Sequence, residues 1–496
     1  MIRIAALWLF IAGLSLYAWR DWYRALCGLV LLIAAIQHPD MPKSLFGIQG
    51  VNPWNVLFLA VVAGWLVGRR REGLRWDMPG PVVVLLLCYL AVVVVSFARM
   101  IGDTEKILIE HTTAGLVSEH LINAIKWTIP GIMMFDGARS RQRLVLGLSA
   151  ILGLYALIAI QVIKWMPIGA GLTGDDLNQL GLKLVNRMGW HRVNLSEMLA
   201  GASWAAFTVH VLPRRWPQKL GLLLLAALLL LAQALTGGRT GYGTWLAVGL
   251  VLCTLRWRRY LLVIPLAVAL VPLLVPGAAA RLAQGFSQET FDRRSEAIGV
   301  AEGDVDAYTV TAGRNIAWPL VIEKIKEAPW TGWGKLAMWR TGLTYFLYYH
   351  YGGANGGELF FHPHNAYLEL LLDNGILGFV PVMVFYVVVL VCSFRLLLDG
   401  RSRIFVAIGG VTTALIVSLF VASIGSQTFY PREGAVGLWC AMGLMLRVWI
   451  ERKRAVALAL KATPPPPPQE GIGSSPTRRR PRLPPSLEPF LWRRGR

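Results

Sequence analysis

The stretch PVVVLLLCYLAVVVVSFA, residues 81–98, carries no charge and no strand-like alternation of apolar and polar positions. At the helical rise of about 1.5 Å per residue it reaches roughly 27 Å, close to the hydrocarbon thickness of a bilayer. A barrel strand would alternate, so this run reads as a helix whose backbone groups are satisfied within the segment. KLGLLLLAALLLLAQAL (219–235) and LLVIPLAVALVPLLVPG (261–277) repeat the pattern. Of the 496 residues, 55% are hydrophobic and 16% charged, with a mean hydropathy of +0.52; a soluble domain has roughly 25% charged residues. The expected fold class is all-α, a polytopic membrane helix bundle of about 12–14 transmembrane helices by the hydropathy criterion.

The formal charge of +21 raises the question of nucleic acid, but the basic residues sit in short clusters between apolar runs. RRREGLR (69–75), ARSRQR (138–143), PRRWPQK (213–219), RWRR (256–259), FRLLLDGRSR (394–403) and ERKR (451–454) are separated by even numbers of crossings. Cytoplasmic loops enriched in Lys and Arg produce this arrangement, so the bilayer is a partner and nucleic acid is not. With those clusters inside, spans fall near 53–68, 79–98, 116–135, 143–164, 194–212, 219–235, 240–256, 260–276, 364–393, 404–423 and 434–450, after two shorter segments within 3–37. Cys27, Cys88, Cys253, Cys392 and Cys440 all lie in apolar segments without paired or metal-type spacing and read as packing residues. The first segment lacks a convincing cleavage site and is expected to be retained.

Four regions follow: an N-terminal transmembrane bundle (1–276), a large outward loop (277–363), C-terminal transmembrane helices (364–454) and a Pro- and Arg-rich cytoplasmic tail (455–496) expected to be disordered. A loop as long as 277–363 calls for a function. Within it, Ile316, Leu320, Val321, Ile325 and Ala328 fall on one face of an amphipathic helix, with Pro319 in its first turn or kinking it.

Polar groups collect at the outward boundary: Arg239 in LTGGRTGYG, Arg314 in AGRNIAWPL, and His362, His364 and Asn365 in HPHN. Two guanidinium forks suit the oxygens of a diphosphate, and a histidine near neutrality can take a proton from a hydroxyl. Each has a bland alternative: Arg239 anchoring a turn at the headgroups, Arg314 paired with Glu323 or Glu327, His364 capping a helix. His362 and His364 with His350 and Glu358 form too weak a pattern for zinc. Asn365, Glu369 and Asp373 share one face of a helix at i, i+4 and i+8, either as functional groups or in salt bridges. Arg187, His191, Arg192 and Asn194 in LVNRMGWHRVNLSEML (184–199) face the same side, as substrate contacts or as a solvated loop.

HPHNAYLELLLDNGILGF (362–379), GRNIAWPLVIEKIKEAPWTGWG (313–334) and LTGGRTGYGTWLA (235–247) together resemble the conserved segments of the O-antigen ligase and polymerase superfamily, bacterial multi-spanning glycosyltransferases that use undecaprenyl-diphosphate-linked glycans. The resemblance implies a glycosyltransferase-C type bundle with a periplasmic helical lid, in the bacterial inner membrane, its site facing the periplasm and its C-terminus the cytoplasm. It implies a metal-independent, inverting transfer without cofactor, with His364, Arg314 and Arg239 catalytic. Asn365, His362, Asp373, Arg187, His191 and Arg192 are the expected substrate-binding residues. Gly238 stands where many members have serine, so a contact from that hydroxyl is missing here. The acceptor would be lipid A-core for a ligase, favoured by the single long outer loop, or a growing glycan for an O-antigen or exopolysaccharide polymerase; protein hydroxyls are a third acceptor class. A lipid-linked glycan transporter or flippase would need midplane polar groups and repeated halves, which the chain lacks. A scaffold docking through 277–363 is the remaining alternative.

Overall fold

The computed structural model describes residues 2–45, 48–107, 111–166, 174–283, 314–352, 362–425 and 428–462. The polypeptide is an all-α membrane bundle. Its long helices are α1 (Ile2–Ala18), α2 (Trp22–Leu32), α3 (Pro53–Arg71), α4 (Gly80–Ile101), α5 (Ile129–Gly137), α6 (Arg141–Trp165), α7 (Gly174–Met188), α8 (Arg192–Val209), α9 (Trp216–Leu235), α10 (Arg239–Leu255), α11 (Val263–Leu274), α12 (Pro276–Ala283), α13 (Arg314–Glu327), α14 (Ala366–Leu397), α15 (Arg403–Ala422) and α16 (Val436–Ala462). A two-residue antiparallel pair, Ser44–Leu45 with Ile48–Gln49, is the strand structure among the described residues.

Six of these helices are both long and apolar enough to cross a membrane: α4, α6, α9, α14, α15 and the segment containing α16. The expected helix boundaries fall within a few residues of the observed ones in most of the bundle. Two expected spans are not continuous helices. Residues 113–126 form short helical pieces around a π-helical turn at Val117–Ile122, and Pro130, which has no N–H to donate, sits at the start of α5. The 260–276 segment yields only the 12 residues of α11, with Pro276 opening the next helix. The last helix runs to Ala462, past the expected start of the tail, because AVALALKA continues its apolar face. The expected tail 463–496 lies outside the described residues, as do 284–313 and 353–361 of the long loop.

α15 and α16 form the centre: the apolar windows of both are 83% buried, against 28% for α9 at the periphery. Backbones touch where glycine allows it. A Cβ on Gly443 would lie 2.0 Å from the Gly131 oxygen, so α5 and α16 meet without side chains between them. At one end of the bundle, Asp77 gathers Arg139 at 3.2 Å, Arg447 at 2.8 Å and Arg454 at 2.7 Å. Those charges surround Asp77 closely enough to hold its carboxyl down at about 2 despite partial burial.

The other end is shaped by the outward loop. α13 buries Ala317 and Val321 against Ala337, Met338, Leu347 and Leu372, with Ile316, Leu320 and Ile325 packed around them; four of the five residues of the expected face are there, with Ala317 in addition and Ala328 outside the cluster. Pro319 lies in the helix interior. The segment after α13 then docks on α14, which breaks at Gly375 (φ 58°, ψ −166°). There the N–H groups of Ile376 and Leu377 donate to Pro329 at 2.8 Å and Trp330 at 3.0 Å, while Trp333 and Gly334 donate back to Leu372 at 2.8 Å and Asp373 at 2.6 Å. Arg99 of α4 also donates to the Thr331 and Gly332 carbonyls.

Candidate active site at converging helix N-termini

α14 begins where the chain turns sharply at HPHN. Asn365 caps the helix, its Oδ1 accepting from Tyr367 N–H at 3.0 Å and Leu368 N–H at 3.2 Å. The residue before it, His364, adopts φ 50°, a left-handed backbone costly for a β-substituted side chain. His364 is therefore not the cap. Surrounding bonds hold the turn: Trp318 of α13 donates to the Pro363 carbonyl at 2.9 Å, and Ala366 N–H donates to Ser423 O at 2.8 Å. The rings of His362 and His364 meet edge to face at 4.4 Å, and His364 N–H donates to His362 Nδ1 at 3.3 Å.

The turn that ends α15, Ser423–Gly425, is the hub. Besides receiving the start of α14, it accepts a 2.5 Å hydrogen bond from Arg314 Nη2 at the Gly425 oxygen. A Cβ on Gly425 would lie 2.6 Å from Thr240 Cγ2, so the start of α10, next to Arg239, is pressed against the same turn. Ser196 of α8 donates to the Gly238 carbonyl at 3.1 Å, tying a third helix start to that one. Gly238 itself supplies no side-chain cap to α10. The N-terminal ends of α8, α10, α13 and α14 thus gather about one turn, each contributing partial positive charge, while the first N–H groups of α14 are taken by Asn365 and Ser423.

Electrostatics record how close these groups are. Burial lowers the Arg314 pKa, Arg239 lowers it further by like-charge repulsion, and Glu197 of α8 acts against both. His364 is pushed down to about 3, first by burial and then by the charges of His362, Arg314 and His191, with Glu369 opposing. His362 is also lowered, mainly by burial, with Glu369 pulling it up and Arg432, Lys335 and His191 pushing it down. The imidazole of His364 is consequently neutral across the physiological range but weakly basic, and an anion bound beside it would offset the neighbouring positive charges and raise its basicity.

Of the residues expected from the sequence, Arg239, Arg314, His362, His364 and Asn365 are brought together. His191 joins them as the cap of α8, its Nδ1 accepting from Val193 N–H at 3.4 Å, with Arg192 opening that helix. Arg187 is exposed and stacks 5.1 Å above the Trp165 ring. Asp373 is 2% exposed and its oxygens are engaged by protein groups: Ala337 N–H at 3.2 Å, Tyr430 O–H at 2.9 Å and Lys335 Nζ at 3.4 Å. Lys335 also reaches Glu369 at 3.3 Å. Glu323 pairs with Lys326 at 2.7 Å and Glu327 with Lys324 at 2.6 Å, and the carboxylate whose charge acts on Arg314 is Glu197. Among the described residues no group of three or more His, Cys, Asp or Glu is placed to hold a metal ion; Glu358 lies outside them.

Glu197 was not singled out from the sequence, although a lone carboxylate inside the 194–212 span was the available signal. It lines a partly open cavity of about 100 Å³ with Asn194, Thr428, Tyr430 and Arg432, and its charge acts on Arg314. Lys335 was equally inconspicuous, because nothing in its own neighbourhood of the chain shows that Asp373 lies against it.

Among curated proteins none matches the chain. Residues 224–383, which contain Arg239, Arg314, His362, His364, Asn365 and Asp373, match the family model described as O-antigen ligase. Over that segment, on a helical bundle with six helices of membrane-spanning length, the chain is similar to the O-antigen ligase family.

Proposed function

We propose that the protein transfers a glycan from an undecaprenyl-diphosphate donor to an acceptor hydroxyl at the periplasmic face of a bacterial inner membrane, as an O-antigen ligase whose acceptor is lipid A-core. The observation carrying this reading is the convergence of Arg239, Arg314 and His364 on the 423–425 turn, where four helix N-termini meet. Helix N-termini and paired guanidinium groups favour a polyanion, and the charge of a bound diphosphate would raise the basicity of the half-buried neutral histidine beside them so that it can take the proton.

In the proposed step the acceptor oxygen attacks the anomeric carbon as its proton passes to His364. The new carbon–oxygen bond forms while the bond from that carbon to the diphosphate oxygen breaks, and the electron pair leaves with the diphosphate. Arg239 and Arg314 take up the charge that develops there, which is the role for which removing one donor typically costs about 10²–10³ in rate. A single displacement inverts the anomeric centre, and no metal is needed to neutralise the leaving group. His362, Asn365, His191, Arg192 and Arg187 are assigned to donor or acceptor contacts, and Asp373 to positioning through Lys335 and the docked loop.

Purified protein given an undecaprenyl-diphosphate glycan, with and without lipid A-core and in the presence of a chelator, tests this reading. Acceptor-dependent product that survives chelation is expected. Lengthening of the donor glycan without lipid A-core would instead assign the polymerase activity of the same superfamily. Loss of transfer on chelation would contradict the metal-independent step.

A further inference from the structure

At the end of the bundle opposite His364, a cavity of about 300 Å³ opens among the ends of α8, α9, α10, α14 and α15, lined by His210, Val211, Lys219, Arg256, Gly400, Arg403 and Val406. Four of those seven residues are basic, and among the described residues Lys219, Arg256 and Arg403 make no ion pair. The nearest carboxylate, Asp399, is already held by Arg401 at 2.6 Å and Arg452 at 2.5 Å. Burial lowers the Arg256 pKa, with Asp399 only partly opposing.

A second feature points the same way. Arg403 is the first residue of α15, a 20-residue helix whose cap, Ser402, supplies no side-chain hydrogen bond to the helix N–H groups. Orphan N–H groups at a helix start beside several cations make an anion site. The C-terminal ends of α8 and α10 also reach this region, but each brings only about half a negative charge against three full positive ones. Val211 and Val406 add apolar lining, and Leu220 and Leu398, next in the chain to Lys219 and Asp399, are 43% and 46% exposed.

We infer that this cavity binds the phosphate of an anionic membrane lipid, with Lys219, Arg256, Arg403 and the start of α15 holding the headgroup and Leu220 and Leu398 flanking the acyl chains. The exposed leucines favour a lipid over a free anion, because a soluble phosphate gains nothing from them. The site lies at the far end of α15 from the Ser423–Gly425 turn, so its occupancy would brace the helix whose other end supports the candidate active site.

Full-length protein in phosphatidylcholine nanodiscs, with or without added phosphatidylglycerol, tests the inference by thermal unfolding and by native mass spectrometry of bound lipid. Phosphatidylglycerol is expected to raise the unfolding temperature, and the triple variant K219Q/R256Q/R403Q to bind it at least tenfold more weakly. Arg141→Gln, an exposed cation on the same face, is expected to leave binding unchanged. If the triple variant does not fold, Arg403→Gln alone, at an exposed position, carries the test and should weaken binding several-fold. Inorganic phosphate added to lipid-free detergent protein is the separate arm. A rise in unfolding temperature there, absent with phosphatidylglycerol, would overturn the lipid assignment. Equal weakening by Arg141→Gln, or binding indifferent to the three cations, would overturn the site.

Discussion

Replacing Gly375 by alanine should undock the outward loop from α14. Gly375 has φ 58° and ψ −166°, a region that is essentially glycine-only and costs a side-chain-bearing residue about 1–3 kcal/mol. Its new Cβ would lie 2.4 Å from the Trp330 carbonyl carbon and oxygen and 2.5 Å from Thr331 N. These are backbone atoms, so no rotamer change relieves the clash, and overpacking adds about 1–3 kcal/mol. The combined cost of roughly 2–6 kcal/mol matches what the four backbone hydrogen bonds of the docked segment return, at about 0.5–1.5 kcal/mol each, so the docking is left marginal. The economical response is for 329–334 to move off α14, drawing Lys335 away from Asp373. Thermal unfolding of the detergent-solubilised protein, with glycan transfer measured in parallel, reads both consequences. Gly342→Ala, at φ 80° with nothing within 4 Å, isolates backbone strain, and Gly221→Ala, on helix α9 with open space around it, should be neutral or slightly stabilising. Unaltered unfolding and transfer in Gly375→Ala, indistinguishable from Gly221→Ala, would refute the docking account.

Lys335→Met should destabilise by about 3–5 kcal/mol, because it leaves Asp373 and Glu369 buried without their cation; adding Asp373→Asn should recover part of the loss in the same unfolding assay. Acidification provides a further check. Because His364 titrates at about 3 in the folded protein and near 6.5 when unfolded, the unfolded chain binds more protons between those values. Its contribution to stability is complete above about pH 6.5 and is lost as pH falls toward 3, so unfolding measured against pH should show a smaller acid loss in His364→Gln than in the wild type. Arg314→Lys keeps the charge but loses the planar fork that reaches Gly425 while facing the site. It should lower transfer by about 10²-fold with normal membrane insertion, and near-wild-type transfer would show that charge alone suffices.

The bundle was legible in the sequence because uninterrupted apolar length is a local property: the 81–98 and 219–235 runs announce their helices without reference to neighbours. Proline-rich runs were less transparent, since apolarity alone did not reveal that 260–276 would yield a short α11. At the site, Arg239, Arg314 and His364 were identifiable from residue type and motif, and the pattern of α13 was readable from its spacing. What holds them was not. The hub at 423–425 acts through backbone carbonyls, which any residue supplies, and the partnership of Lys335 with Asp373 joins residues distant in the chain. The partners of Asp373 were hidden for the same reason: an isolated carboxylate shows its charge in the sequence but not what surrounds it.

The most direct test of the central claim separates donor binding from transfer in three variants: His364→Gln, Arg239→Gln and Arg314→Gln, each compared with wild type using an undecaprenyl-diphosphate glycan. His364→Gln is expected to bind the donor nearly as well as wild type yet form no product, while both arginine variants lose transfer and bind the diphosphate more weakly. Product formation by folded His364→Gln at close to the wild-type rate would contradict its assignment as the base, and with it the account of the site.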